Sequence, residues 1–169
     1  GTYSNFAPGQ PTDSPPIYTC ALYRNADDLW IKSLPSSQNP YMCQIDPTPD
    51  PITTPATTTR TVYGCPRGNC EQGYILNPVA CKCYKYLYYD AYTDYDASSA
   101  KCQDENAKLA VILNDSENQF LMKSVPMYKT NTPFIGLFCN STSVSSCGWI
   151  DGTPLGYSNF AAGEPQFNA

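Results

Sequence analysis

One short pattern, Tyr-Ser-Asn-Phe-Ala-x-Gly-x-Pro, occurs twice in this chain, at Tyr3 to Pro11 and again at Tyr157 to Pro165. A repeat this close at both ends implies two copies of one module. The chain is therefore expected to close one copy, cross a linker and open another. Asp46 to Thr61 reads Asp-Pro-Thr-Pro-Asp-Pro-Ile-Thr-Thr-Pro-Ala-Thr-Thr-Thr-Arg-Thr and offers almost nothing to bury. Such a run cannot recover its ordering entropy, so it reads as an extended, semi-rigid linker open to O-glycosylation. The expected organisation is the end of a first copy over residues 1–45, a linker over 46–62, and the first three quarters of a second copy over 63–169. Gly1 falls in mid-motif, which reads as an internal piece of a longer secreted protein.

The formal charge is -5 with ten basic residues. That gives no basic face for a phosphate backbone, so nucleic acid and anionic membrane are poor partners. No signal peptide or membrane-spanning run is apparent. Histidine is absent, which excludes Ser-His-Asp and Cys-His nucleophile pairs and the usual His-bearing zinc sites. The carboxylates are scattered over caps and loops without a positioned nucleophile and base, so no enzyme is expected. Nine cysteines and fourteen tyrosines fit an oxidising, extracellular setting in which disulfides supplement the core. A cytosolic zinc protein would need His or paired Cys-x-x-Cys knuckles, and neither is present.

Along the chain, Ile17 to Tyr23, Leu29 to Ile31 and Tyr41 to Ile45 read as strands, with a polar turn at Asn25 to Asp28. Cys65, Cys70, Cys81 and Cys83 cluster around Gly73 to Leu76 and Tyr84 to Tyr89, two short strands stapled by two local disulfides in any of three connectivities. A helix is expected from about Asp94 to Asn106, started by a capping-box-like Thr93 and Asp96, with Tyr95, Ser98 and Cys102 on one face. Ala107 to Ile112 reads as a buried strand. Asn114 with Glu117 caps a second helix that turns Phe120, Leu121 and Val125 inward. Pro133 to Cys139 and Cys147 to Gly152 form hairpin arms, across whose tip a Cys139–Cys147 disulfide is sensible. The class is α+β.

These features together resemble the C-type lectin-like domain. The resemblance rests on Tyr95-x-x-Ser98-x-x-x-Cys102, Asn106-Ala107-x-Leu109-Ala110-x-Ile112, Asn114-x-x-Glu117-Asn118-x-Phe120-Leu121, Phe134-Ile135-Gly136-Leu137 and Trp149-x-Asp151-Gly152. It covers everything but the linker, as two incomplete copies. It implies two helices packed on short antiparallel sheets, a long loop and disulfide staples. It also implies that the helix cysteine, Cys102, pairs with one in a last strand. Cys43 is such a cysteine in the other copy, so residues 1–45 could complete the second copy as a circular permutant marked by a Cys43–Cys102 bond. Cys20 lacks its family partner, whose place is taken by Pro35. It reads as a buried thiol, with an intermolecular disulfide as the alternative.

In that family calcium-dependent members hold sugar through a Glu-Pro-Asn or Gln-Pro-Asp triplet and the Asn-Asp of a later Trp-Asn-Asp. Here the triplets are Glu164-Pro165-Gln166 and Gln10-Pro11-Thr12, and the strand reads Trp30-Ile31-Lys32. An aliphatic and a cation replace Asn-Asp, which repels calcium from the first copy. In the second, Glu164 would be the metal's single carboxylate, beside the over-long Gln166. The candidate ligand-binding residues are thus Glu164, Gln166 and Gln10. The alternative gives Glu164 and Gln166 a solvated, shape-holding loop, and Trp149 a place in the core. Asn114 and Asn140 head N-glycosylation sequons. The resemblance implies an extracellular module for carbohydrate, or a calcium-independent module for a protein partner.

Overall fold

The computed structural model describes residues 18–49, 68–88, 92–124, 132–140 and 144–164. The expectations placed on Gln10, Cys65, Tyr89, Val125, Pro165 and Gln166 lie outside the described residues.

Three strands come from the first stretch: β1 (Thr19–Arg24), β2 (Leu29–Ser33) and β3 (Tyr41–Ile45). β1 and β2 form a hairpin through a turn in which Asp28 takes a left-handed φ of 62°, a conformation that Asp tolerates better than most residues. The second stretch supplies β6 (Ile75–Asn77), β7 (Lys82–Leu87), α1 (Tyr95–Asp104), β8 (Lys108–Leu109), α2 (Asp115–Ser124), β9 (Phe134–Cys139) and β10 (Cys147–Trp149). Between the stretches lie two-residue strands, β4 (Thr48–Pro49) and β5 (Gly68–Asn69), which pair antiparallel. Thr48 and Pro49, within the expected linker, are thus paired with Gly68 and Asn69.

The main sheet runs β2-β1-β9-β3-β7-β6, with β10 on β9 and β8 on β3. Strands of the two stretches alternate in it: β1 pairs β9, and β3 pairs β7 and β8. Neither stretch holds this sheet alone. Buried side chains from both stretches fill one core cluster, in which Tyr23, Trp30 and Met42 meet Tyr84, Leu121, Leu137 and Trp149. A Cys43–Cys102 disulfide joins β3 to α1. Cys70–Cys83 and Cys139–Cys147 are bonded too, and Cys81 is disulfide-bonded. Cys20 is a free thiol, 2% exposed. Burial pushes its pKa up, with the Asp96 charge adding to it, so Cys20 itself presents no surface thiolate for an intermolecular bond.

Two local expectations need correction, and two gain detail. The cap of α1 is Asp94, whose Oδ1 accepts the Ala97 N–H at 2.8 Å, and not Thr93; Thr93 instead bridges to Asn39. Only Lys108–Leu109 is a strand, because β3 runs alongside only that far, although Ala110 to Ile112 remain buried. On α2, Leu121 is buried and Phe120 is half-buried against the core, as expected, and Glu117 and Asn118 share that buried face. The hairpin tip between β9 and β10 contains a 3-10 turn, Val144–Ser146.

Candidate functional site

The long loop that carries the second copy of the repeat lies along β2. Trp30 donates its backbone N–H to the Asn159 carbonyl at 2.8 Å and accepts the Ala161 N–H at 2.9 Å, a parallel bridge opposite Phe160. Its ring is fully buried and meets Trp149, Tyr157 and Phe160 edge-on, at centroid distances of 5.5, 5.6 and 5.7 Å. Edge-on geometry sets the positive rim of one ring against the negative face of another.

A buried indole N–H needs an acceptor. Asn118 of α2 supplies one, its Oδ1 taking the Trp30 Nε1 hydrogen at 2.9 Å. The same amide donates to the Asp28 carbonyl at 3.0 Å, to which Asn159 also donates at 2.7 Å. Tyr23 OH donates to Asp28 Oδ1 at 3.1 Å. These side chains fix the β1–β2 turn, β2, α2 and the loop as one frame. Sequence reading passed over Asn118, Asp28 and Asn159 as site residues, although Asn159 stands in the repeat and Asp28 in a polar turn.

Glu164 closes the frame. The turn Ala161 to Glu164 is fastened by the Glu164 N–H on the Ala161 carbonyl at 2.9 Å, and Glu164 Oε2 accepts the Lys32 backbone N–H at 3.3 Å. Arg24 lies within its field: the Arg24 pKa is raised first by its hydrogen bond to Asp27, and the Glu164 charge adds to that. The structure thus brings Glu164 beside Trp30-Ile31-Lys32, as the joined halves require. Gln10 and Gln166 are not placed. Trp149 is core, 1% exposed.

Calcium takes roughly six to eight oxygen ligands. Among the described residues of this frame, Glu164 brings a carboxylate that already accepts an amide hydrogen, and Asp28 brings one whose Oδ1 already accepts the Tyr23 hydroxyl. Ile31 brings no side-chain oxygen and Lys32 brings a positive charge. These described donors are fewer than calcium ordinarily takes.

Deeper in, Glu117 is 4% exposed and accepts from Lys82 Nζ at 2.9 Å, Leu113 N at 3.1 Å, Asn114 Nδ2 at 3.1 Å and Tyr84 OH at 3.4 Å. A buried carboxylate persists only when satisfied in this way. Asn114 Oδ1 accepts the Glu117 N–H at 2.9 Å and caps α2 while the residue itself remains exposed. The nitrogen that would carry a glycan therefore also donates to Glu117. Asn140, at the hairpin tip, is exposed.

Residues 92–169 match the lectin C-type domain. Two helices, a mixed sheet and disulfide staples make this the C-type lectin-like α+β fold. The lectin-type match opens just before α1 and takes in α2, the hairpin and the loop on β2. Over 166 residues the chain is 26% identical to C-type mannose receptor 2 of Homo sapiens, covering 97% of this chain and 10% of the receptor. The proteins of that name from Mus musculus and Rattus norvegicus match to the same extent. The chain thus spans about a tenth of the length of these relatives. No solved structure gives a significant match.

Proposed function

We propose that this chain is part of an extracellular binding protein, with carbohydrate as the ligand class, and that it engages its ligand without calcium. The C-type lectin-like fold and the name of the relatives, mannose receptor, support the ligand class. The observation that carries the calcium-independent mode is Glu164 Oε2 held on the Lys32 N–H. A sugar would then meet hydrogen-bonding groups directly, a carboxylate and an amide in place of a bridging ion. No reaction is assigned. Among the described residues no helix is long and apolar enough to cross a membrane.

A second reading, a protein ligand at the same surface, is favoured by Ile31 and Lys32 standing where the family's metal-binding strand has Asn and Asp. Retention of the disulfide-intact chain on immobilised mannose, fucose, galactose and N-acetylglucosamine, with and without chelator, separates the readings. Retention unchanged by chelator and weakened by Glu164→Ala supports the proposal. Retention abolished by chelator contradicts the calcium-free mode, and no retention on any sugar leaves the protein ligand as the better reading.

A further inference from the structure

A cleft opens where β3 ends beside the turn between α1 and β8. Its volume is about 360 Å³, and it is lined by Gln44, Ile45, Asp46, Asn106, Ala107 and Lys108. β3 lies three places from β2 in the main sheet, so this cleft is separate from the frame that holds Glu164. We propose that it is a second binding site, for one neutral sugar residue held by direct hydrogen bonds.

Strand alternation decides which side chains meet there. Gln44 stands opposite Lys108 in the antiparallel pair of β3 and β8, and directly opposed residues share one face. Asp46, two residues beyond Gln44, returns to the same side. Asn106 turns the chain into β8 at a left-handed φ of 57°, which Asn tolerates. That turn is fastened by the Asn106 N–H on the Gln103 carbonyl and the Ala107 N–H on the Cys102 carbonyl, both at 2.9 Å. The Cys43–Cys102 disulfide joins the two walls, so a ligand meets a preorganised site and does not have to order it.

Gln44 gives the cleft a polar floor. It is 2% exposed, and its Oε1 accepts the Val111 N–H at 2.9 Å. That bond fixes which end of the amide is the oxygen and leaves the Nε2 hydrogens as donors, for which no acceptor stands among the described residues. Buried polar groups are as a rule hydrogen-bonded, and a ligand oxygen seated here would complete the amide. At the rim the Asp46 carboxylate and the Asn106 amide are exposed, with no side-chain hydrogen bond or ion pair among the described residues. Lys108 Nζ is already bonded to Asp151 Oδ2 at 2.9 Å.

This mixture of groups selects the ligand class. A hydroxyl both donates and accepts. Neighbouring hydroxyls of a sugar ring can give hydrogens to Asp46 and take them from Gln44 and Asn106, while Ile45 and Ala107 offer apolar contact to a C–H face. A cation would leave the Gln44 donors unanswered. An anion would be opposed by Asp46, with the Lys108 charge already paired. Small-molecule pockets run from roughly 300 to 1,000 Å³, so this volume suits a single ring.

The cleft does not depend on Glu164, and its test separates it from the β2 frame. Two-dimensional NMR of the disulfide-intact full chain, in chelator, follows titration with methyl mannoside, methyl fucoside, methyl galactoside and N-acetylglucosamine. Side-chain amide signals of Gln44 and Asn106 report on the cleft; backbone signals of Trp30 to Lys32 report on the β2 frame. We expect at least one of these sugars to shift the Gln44 and Asn106 amides saturably. Asp46→Ala should weaken that binding at least about tenfold, and Asn106→Gly, which keeps the left-handed turn, about threefold. Both variants should keep the parent's thermal midpoint, and Glu164→Ala should leave the cleft's affinity unchanged. No saturable shift at Gln44 and Asn106 with any of the four sugars overturns the proposal, as do shifts that survive both cleft variants or that methylammonium or acetate produces equally. Shifts at Trp30 to Lys32 alone refute this site and leave the β2 reading standing. Shifts at Gln44 and Asn106 that Glu164→Ala abolishes refute a separate site.

Discussion

Replacing Asn118 by alanine removes the group that ties α2 to β2. Its Oδ1 is the acceptor for Trp30 Nε1, and Trp30 is fully buried. That donor would be left without a partner, at a cost of about 1–3 kcal/mol. The Asp28 carbonyl keeps the Asn159 amide at 2.7 Å, so losing the second donor costs only about 0.5–1.5 kcal/mol. The sum is about 2–4 kcal/mol, a large share of a typical domain's stability. Urea denaturation followed by tryptophan fluorescence reads it as a lower midpoint at unchanged slope. The Trp30–Asn118 hydrogen bond also couples the two positions. In a Trp30→Phe background there is no indole N–H to orphan, so N118A should cost about 1–2 kcal/mol less there. A cost below about 1 kcal/mol in the parent, or an equal cost in both backgrounds, would refute the view that this hydrogen bond anchors the loop frame.

Three further outcomes follow from other parts of the molecule. Cys43–Cys102 closes a sequence separation of 59 and Cys70–Cys83 one of 13; replacing each pair by alanine should cost about 4 and about 3 kcal/mol in urea midpoints, in that order. A Cβ on Gly136 would stand 2.9 Å from the Leu109 carbonyl and from Ile150 Cγ2, against backbone that cannot yield cheaply. Gly136→Ala should therefore lower stability by about 1–3 kcal/mol, measured in the same assay. Glu105 and Asp151 are held below their ordinary pKa: burial pulls each up, but hydrogen bonds from Lys85 and Tyr74 to the first, and from Lys108 and Thr153 to the second, outweigh it. Their contribution is complete above the unfolded carboxylate range near pH 4 and is lost as pH falls through the lower folded values. Thermal midpoints should be level from pH 7 to 5 and fall below about pH 4, and less steeply in K85M/K108M.

What was legible in the sequence was the part governed by local periodicity and spacing. Tyr95, Ser98 and Cys102 fall on one helical face and are buried as that spacing requires. Asn106 ends the turn after α1 at a φ of 57°. The Cys139–Cys147 hairpin follows from two apolar arms around a polar tip. On α2 the apolar residues Phe120 and Leu121 were legible, but apolar periodicity cannot credit Glu117 and Asn118 on the same face. Their burial depends on partners 35 and 88 residues away, Lys82 and Trp30. Two-residue strands such as β4 and β5 leave no periodic signal at all.

At the site, the repeat and the family resemblance together singled out Glu164 and the Trp30-Ile31-Lys32 strand, which the fold brings together. They did not single out Asp28 and Asn118. These act through a backbone carbonyl and a buried amide, and only the assembled turn, helix and loop give either a role.

The most direct test is a disulfide map of the oxidised chain by non-reducing digestion and mass spectrometry, since the site exists only if the two stretches share one sheet. The expected result is a peptide linking Cys43 to Cys102, others linking Cys70 to Cys83 and Cys139 to Cys147, and a Cys20 thiol that alkylates only after unfolding. Cys43 or Cys102 found free, or bonded elsewhere, would contradict it and dissolve the seam between Glu164 and β2.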